Sequence, residues 1–135
     1  MRSLLEKCGL GDKVHVYSSG TSVTTPRRAS ENAIIALNEI GLDLTKHKSQ
    51  LTTRELIEEA DLVLAMTEEH KRYVLSILSD ARDKVFTLIE YATGDKGDIS
   101  DPYLMDIDTY RSVRNEILKY LELVLDRIEG EFIRR

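Results

Sequence analysis

The chain has one cysteine, Cys8, and no tryptophan. A single cysteine excludes an internal disulfide and any zinc cluster built on several thiolates. No apolar run approaches the roughly 18 residues that a bilayer-spanning helix needs, so no membrane partner is expected. An excess of basic residues is also lacking: 19 Lys and Arg stand against 24 Asp and Glu, for a net charge of -5. That balance argues against a general nucleic-acid binder, which shows a basic face. The opening Met1–Cys8 stretch is too short and too charged for a secretory signal, and a cytoplasmic location is expected. Repeats, low-complexity runs and a domain linker are absent too.

What is present suits a globular α/β protein. With 41% hydrophobic and 32% charged residues over 135 positions, the chain is expected to form one domain, 1–135, around a single core. Leu4, Leu5 and Cys8 have helical spacing and stop at Gly9-Leu10-Gly11. Val14-His15-Val16-Tyr17 alternates like a short strand and ends at Ser18-Ser19-Gly20. Thr21 to Arg28 reads as a polar loop. Ala33, Ile34, Leu37 and Ile40 form a helical stripe closed by Gly41. Thr52-Thr53-Arg54-Glu55 is a capping-box pattern for a short helix through Glu59. Leu62–Met66 is a continuous apolar run, the signature of a strand buried in a parallel sheet. Thr67 caps the helix that follows it, with Tyr73, Val74, Ile77 and Leu78 on that helix. Val85–Leu88 reads as another strand, Ala92 to Asp101 as a loop, and Asp106 or Asp108 as the start of a long last helix. Short strands alternating with helices predict an α/β fold with a small parallel sheet.

In such sheets ligands collect at the C-terminal ends of the strands. Three polar segments fall there: Ser18-Ser19-Gly20, Met66-Thr67-Glu68, and Asp98-Ile99-Ser100-Asp101-Pro102-Tyr103. In the last, Pro102 fixes its own φ and disfavours helical geometry at Asp101, which holds a carboxylate at a loop tip as a general acid is held over a leaving group. No metal site or cofactor is expected.

The motifs occur in an order that resembles the low-molecular-weight protein-tyrosine-phosphatase family, and within it the bacterial protein-arginine-phosphatase branch. The resemblance rests on Val16–Thr21, Gly41–Ser49, Leu51–Leu56, Ala60–Thr67, Lys84–Tyr91 and Asp98–Tyr103. It implies a three-layer αβα fold of the phosphotyrosine-phosphatase I type. It also implies hydrolysis of phosphotyrosine or phosphoarginine through a phosphocysteine. In that family a cysteine attacks phosphorus, while an arginine and backbone N–H groups at a helix N-terminus hold the phosphoryl oxygens. The resemblance makes Asp101 the general acid and then the general base. It places Pro102 and Tyr103 at the substrate cleft, and Ser18 and His47 as supports of the phosphate loop. The partner it implies is a phosphorylated protein side chain or a phosphate-like anion.

The chain departs from the family where the nucleophile belongs. The family opens with a strand and a Cys-x5-Arg loop, and neither is recognisable here. Six residues after Cys8 stands Val14, and Cys8 lies near the end of its expected helix, where the dipole would raise a thiol pKa. The nucleophile is therefore expected to be none in this chain, and the sheet to lack its first, central strand. The shortened chain is expected to be inactive alone, and to self-associate through exposed strand edges. Two readings follow: a shortened member whose catalysis needs the absent segment, or a non-catalytic binding or regulatory pseudophosphatase. Arsenate reduction on this fold needs several cysteines and is disfavoured by one.

Overall fold

The computed structural model describes residues 12–20, 31–42, 50–100 and 105–133. The expectations for the first helix with Cys8, for the loop with Pro26, and for His47, Asp101, Pro102 and Tyr103 lie outside these residues.

The described chain runs through α1 (Glu31–Asn38), α2 (Arg54–Glu59), β1 (Val63–Ala65), α3 (Glu68–Ile77), a 3-10 helix (Ser79–Lys84), β2 (Val85–Thr87), α4 (Leu88–Thr93) and α5 (Ile107–Ile128), closing in a π turn (Glu129–Ile133). β1 and β2 are parallel, with Val63 opposite Val85, Leu64 opposite Phe86 and Ala65 opposite Thr87. A parallel pair needs a long crossover, and α3 with the 3-10 helix supplies it.

The pleat sends alternate side chains to opposite faces and so creates two cores. On one face, Val63 and the buried Val85 meet Ile57 of α2, Val74 of α3 and Ala81. On the other, Leu62, Leu64 and Phe86 pack against Leu88 and Tyr91 of α4, Val113, Val124 and Ile128 of α5, and Ile99 from the segment between those helices. Helices cover both faces of the sheet, so the fold is the expected three-layer α/β arrangement.

Capping sets most of the boundaries. Thr53, Thr67 and Thr87 each accept a hydrogen bond from the third residue of the helix they precede, and Asp106 does the same for α5. Each side-chain oxygen satisfies an N–H that the helix leaves unpaired. Gly41 and Gly94 follow α1 and α4 with φ of 81° and 85°, the left-handed conformation that glycine adopts without a Cβ penalty.

Three expectations need correction. Among the described residues, Val14–Tyr17 lies outside the sheet that β1 and β2 form. Its apolar alternation still sorts sides: Val14 and Val16 pack toward Leu125, whereas Tyr17 is 74% exposed. The cap of α2 is Thr53, and Thr52 is buried instead with its hydroxyl 2.7 Å from that of Ser19. Leu88 does not extend β2; it starts α4, because Thr87 and Glu90 form a reciprocal capping box.

The far end of α5 is clasped to the core. The Tyr91 hydroxyl donates to Glu131 at 2.8 Å, and the Arg127 guanidinium lies 4.0 Å from the Tyr91 ring centroid. Arg127 also donates to Glu131 at 2.6 Å and to the Tyr91 carbonyl at 2.9 Å. Burial and the bond to Glu131 push the Tyr91 phenol up to about 12. The fold favours the neutral phenol. Its stabilising contribution is therefore complete below the ordinary tyrosine value near 10 and is lost as pH rises through about 12. Absorbance titration of the tyrosines should show one group ionising about two units late, and Tyr91→Phe should remove that step. A titration in which every tyrosine ionises near 10 would contradict the clasp.

Candidate active site

The polar end of the sheet is where β1 stops. Ala65 is buried, Met66 is 41% exposed, and Thr67 turns the chain into α3. At that point the residues leading to Asp101 attach to the strand. The Ile99 N–H donates to the Met66 carbonyl at 2.8 Å. Asp98 Oδ1 accepts from the Glu68 N–H, also at 2.8 Å. Asp98 thus satisfies one free N–H in the first turn of α3, where a negative charge is favoured by the helix dipole. One Glu68 carboxylate oxygen is itself buried here without a partner.

Burial reinforces these bonds. The Ile99 side chain is 2% exposed and belongs to the cluster with Leu88, Tyr91 and Val113. Gly97 permits the approach: a Cβ there would sit 2.9 Å from Ile89 Cγ2 and 3.3 Å from its Cβ. Lys71 of α3 and Glu90 of α4 pair at 2.8 Å. The Lys71 hydrogen bond holds the Glu90 carboxyl below the ordinary glutamate range.

Beyond the Asp101 segment the chain is held again. Met105 offers its carbonyl to Asn32 Nδ2 at 3.1 Å. Asp106 accepts from the Thr109 N–H at 2.8 Å and from its hydroxyl at 2.7 Å. Those bonds keep the Asp106 carboxyl below its usual range. Ser100, Asp106, Thr109, Ser112 and Glu116 line an open polar hollow beside this end of α5.

Ser18 is the one described member of the site expected from the sequence. It is exposed, and its carbonyl accepts from Gln50 Nε2 at 2.8 Å. Its neighbour Gly20 makes a parallel bridge to Leu51, through Gly20 N–H to Gln50 O at 2.7 Å and Thr52 N–H to Gly20 O at 2.9 Å. The Ser18–Gly20 segment is therefore joined to Gln50–Thr52, and the Ser19–Thr52 hydroxyl pair adds a side-chain link. Asp98, Gly97, Ser19 and Asn32 were not singled out as site residues from the sequence. Only Asp98 and Gly97, in the turn before the Asp-Pro step, carried a signal that could have found them. Among the described residues no group of three His, Cys, Asp or Glu could hold a metal ion, and no helix is long and apolar enough to cross a membrane.

Comparison with known proteins places this geometry in context. The family described as "Low molecular weight phosphotyrosine protein phosphatase" matches residues 1–132. The protein-arginine-phosphatase of Bacillus subtilis (strain 168) is 41% identical over 130 residues, spanning 96% of this chain and 85% of that one. The protein-arginine-phosphatase of Geobacillus stearothermophilus is 35% identical over 118 residues, spanning 87% and 79%. The crystal structure of a Bacillus subtilis YwlE mutant superposes with a TM-score of 0.89 at 41% identity, covering 95% of this chain and 84% of that one.

The Gly97 contact yields a test. Gly97→Ala should destabilise by about 1–3 kcal/mol, the usual range for overpacking. Combined with Ile89→Ala, which removes the opposing methyl groups, it should cost clearly less than the sum of the two single changes. Additive losses in denaturant unfolding would show that the approach of Gly97 to Ile89 is not close.

Proposed function

Because the chain belongs to the low molecular weight phosphotyrosine protein phosphatase family, we propose that its fold serves hydrolysis of a phosphorylated protein side chain, with Asp101 as general acid and base. The observation that carries this reading is the double attachment at Asp98 and Ile99 to the end of β1. Asp98 and Ile99 are thereby held at the strand end, where an α/β sheet binds its ligand, and Asp101 follows Ile99 by two positions in the sequence.

The chemistry proceeds in two displacements. A cysteine thiolate attacks phosphorus, the bond from phosphorus to the leaving oxygen or nitrogen breaks, and the Asp101 carboxyl gives that atom its proton. Water then attacks the phosphocysteine. The Asp101 carboxylate takes the water's proton, the P–S bond breaks, and phosphate leaves with the thiolate restored. Pro102 holds the Asp101 backbone out of helical geometry, Tyr103 walls the cleft, and Ser18 and His47 brace the phosphate loop. The exposure of Ser18 and the fixing of its segment to Gln50–Thr52 are compatible with such a brace.

The thiolate and phosphate-binding arginine have no counterpart at the required spacing within these 135 residues, since Val14 stands six after Cys8. By this route these 135 residues alone are inactive, and turnover in the cytoplasm needs a thiolate and an arginine from elsewhere. Phosphoarginine is the preferred substrate over phosphotyrosine; the 41% identity to a protein named for arginine dephosphorylation supports that preference.

Purified 135-residue chain should hydrolyse aryl phosphate at background rate, and joining a strand and Cys-x5-Arg loop ahead of Met1 should restore turnover. Asp101→Asn in the completed chain should then lower kcat about 10²–10⁴-fold, the scale of losing a general acid. Vanadate-sensitive turnover by the unextended chain would defeat the nucleophile assignment. An inactive extended chain would favour the alternative, a non-catalytic binding module. Between substrates, a kcat/KM favouring phosphotyrosine about tenfold, roughly 1.4 kcal/mol, would overturn the phosphoarginine preference.

A further inference from the structure

The helix α1 has eight residues. An isolated helix is marginal in water below roughly 12–15 residues, so α1 depends on what it packs against. Its support is α5. Ala36 is the one α1 residue that is fully buried, while Ile35 on the same helix stays exposed. Among the described residues, no member of α1 belongs to the two cores on the sheet or to the cluster around Leu125. In the sequence α1 lies between Gly20 and Leu51, and those two residues are bridged to each other. The chain before and after α1 is therefore joined without help from the helix.

The C-terminal end of α1 carries its attachment. The last four carbonyls of a helix need partners from beyond its regular bonds. The following turn serves three of them. Ile35 O accepts from the Glu39 N–H at 3.2 Å, and Asn38 O from the Gly41 N–H at 3.1 Å. Leu37 O accepts from the Ile40 and Leu42 N–H groups at 3.1 and 2.9 Å. The fourth, Ala36 O, takes its partner from α5: Arg114 Nη1 donates to it at 2.8 Å. That nitrogen also donates to Glu39 Oε1 at 2.8 Å. A cation here is favoured by the helix dipole as well. Arg111 reaches both Glu39 oxygens at 2.7 to 3.0 Å and Asp108 at 2.9 Å. Its side chain is 39% exposed and that of Arg114 only 14%, so water screens Arg111 more strongly.

We propose that α1 is a latch, a helix that unfastens from α5 as one unit while the sheet and its two cores stay closed, with Arg114 as the pin. Loss of the Arg114 guanidinium leaves the Ala36 carbonyl without its donor and Glu39 with one cation fewer, and the sheet feels neither change. Asn32 of α1 also donates to the Met105 carbonyl at 3.1 Å. Opening the latch therefore frees the residue that precedes the Asp106 cap of α5.

Native-state hydrogen exchange of the 135-residue chain in low urea tests the latch. The α1 amides should exchange faster than those of β1 and with a weaker urea dependence, because a local opening exposes less surface than global unfolding. Arg114→Gln should speed α1 exchange about tenfold or more, the scale of losing a hydrogen bond to a charged group, while the β1 and β2 amides keep their rates. Glu39→Gln should act on α1 in the same direction, since it removes the carboxylate that holds the guanidinium. Exchange of α1 with the rate and urea dependence of β1 in the parent would overturn the proposal. So would an Arg114→Gln chain in which α1 exchange is unchanged, in which α1 and β1 accelerate equally, or which fails to fold, because a latch opens without the sheet.

Discussion

The hydrogen bond from the Ile99 N–H to the Met66 carbonyl is the constraint on which the candidate site depends. It joins the last turn before Asp101 to the end of β1, and the buried Ile99 side chain protects it from water. A net protein hydrogen bond stabilises by only about 1 kcal/mol, but breaking one inside an apolar cluster leaves two polar groups without partners. The surrounding residues make that outcome hard to reach. Asp98 accepts from the Glu68 N–H at the start of α3 beside it, and Gly97 lets the backbone come close to Ile89.

The two-faced core gives this joint a rigid base. Val63 and Val85 face α2 and α3, while Leu64 and Phe86 face α4 and α5. The strand that ends at the site is therefore packed from both sides. The Lys71–Glu90 pair and the Thr87 capping box tie α3 to the start of α4. The exposed Arg111–Glu39 and Arg54–Glu58 pairs contribute little to stability in water. The former joins Glu39, just past α1, to Arg111 of α5.

Much of this was legible in the sequence because it follows from periodicity and caps. The apolar run Leu62–Met66, the capping role of Thr67, the α1 stripe ended by Gly41 and the long helix after Asp106 all appear as expected. Two failures share one cause, the dependence of local structure on partners distant in the chain. Among the described residues, Val14–Tyr17 has strand alternation but lies outside the β1–β2 sheet. Thr52 and Thr53 are equivalent as candidate caps until Ser19 claims Thr52. The α4 start at Leu88 was hidden inside an apolar stretch, although Thr87 and Glu90 spell a capping box. The Ile99–Met66 joint could not be read at all, since a backbone bond carries no side-chain signature. Family resemblance filled part of that gap by pointing to Asp101, and the fold supplies the means of holding the residues around it.

Native-state hydrogen exchange at the Ile99 amide tests the account most directly. If Ile99 anchors the approach to Asp101, its amide exchanges only through a large opening of the domain, with protection close to that of the β1 amides. An Ile99 amide that exchanges as fast as the exposed Lys96 or Ser100 amides would show that the segment is not fixed to β1, and the proposed placement of the general acid would fail with it.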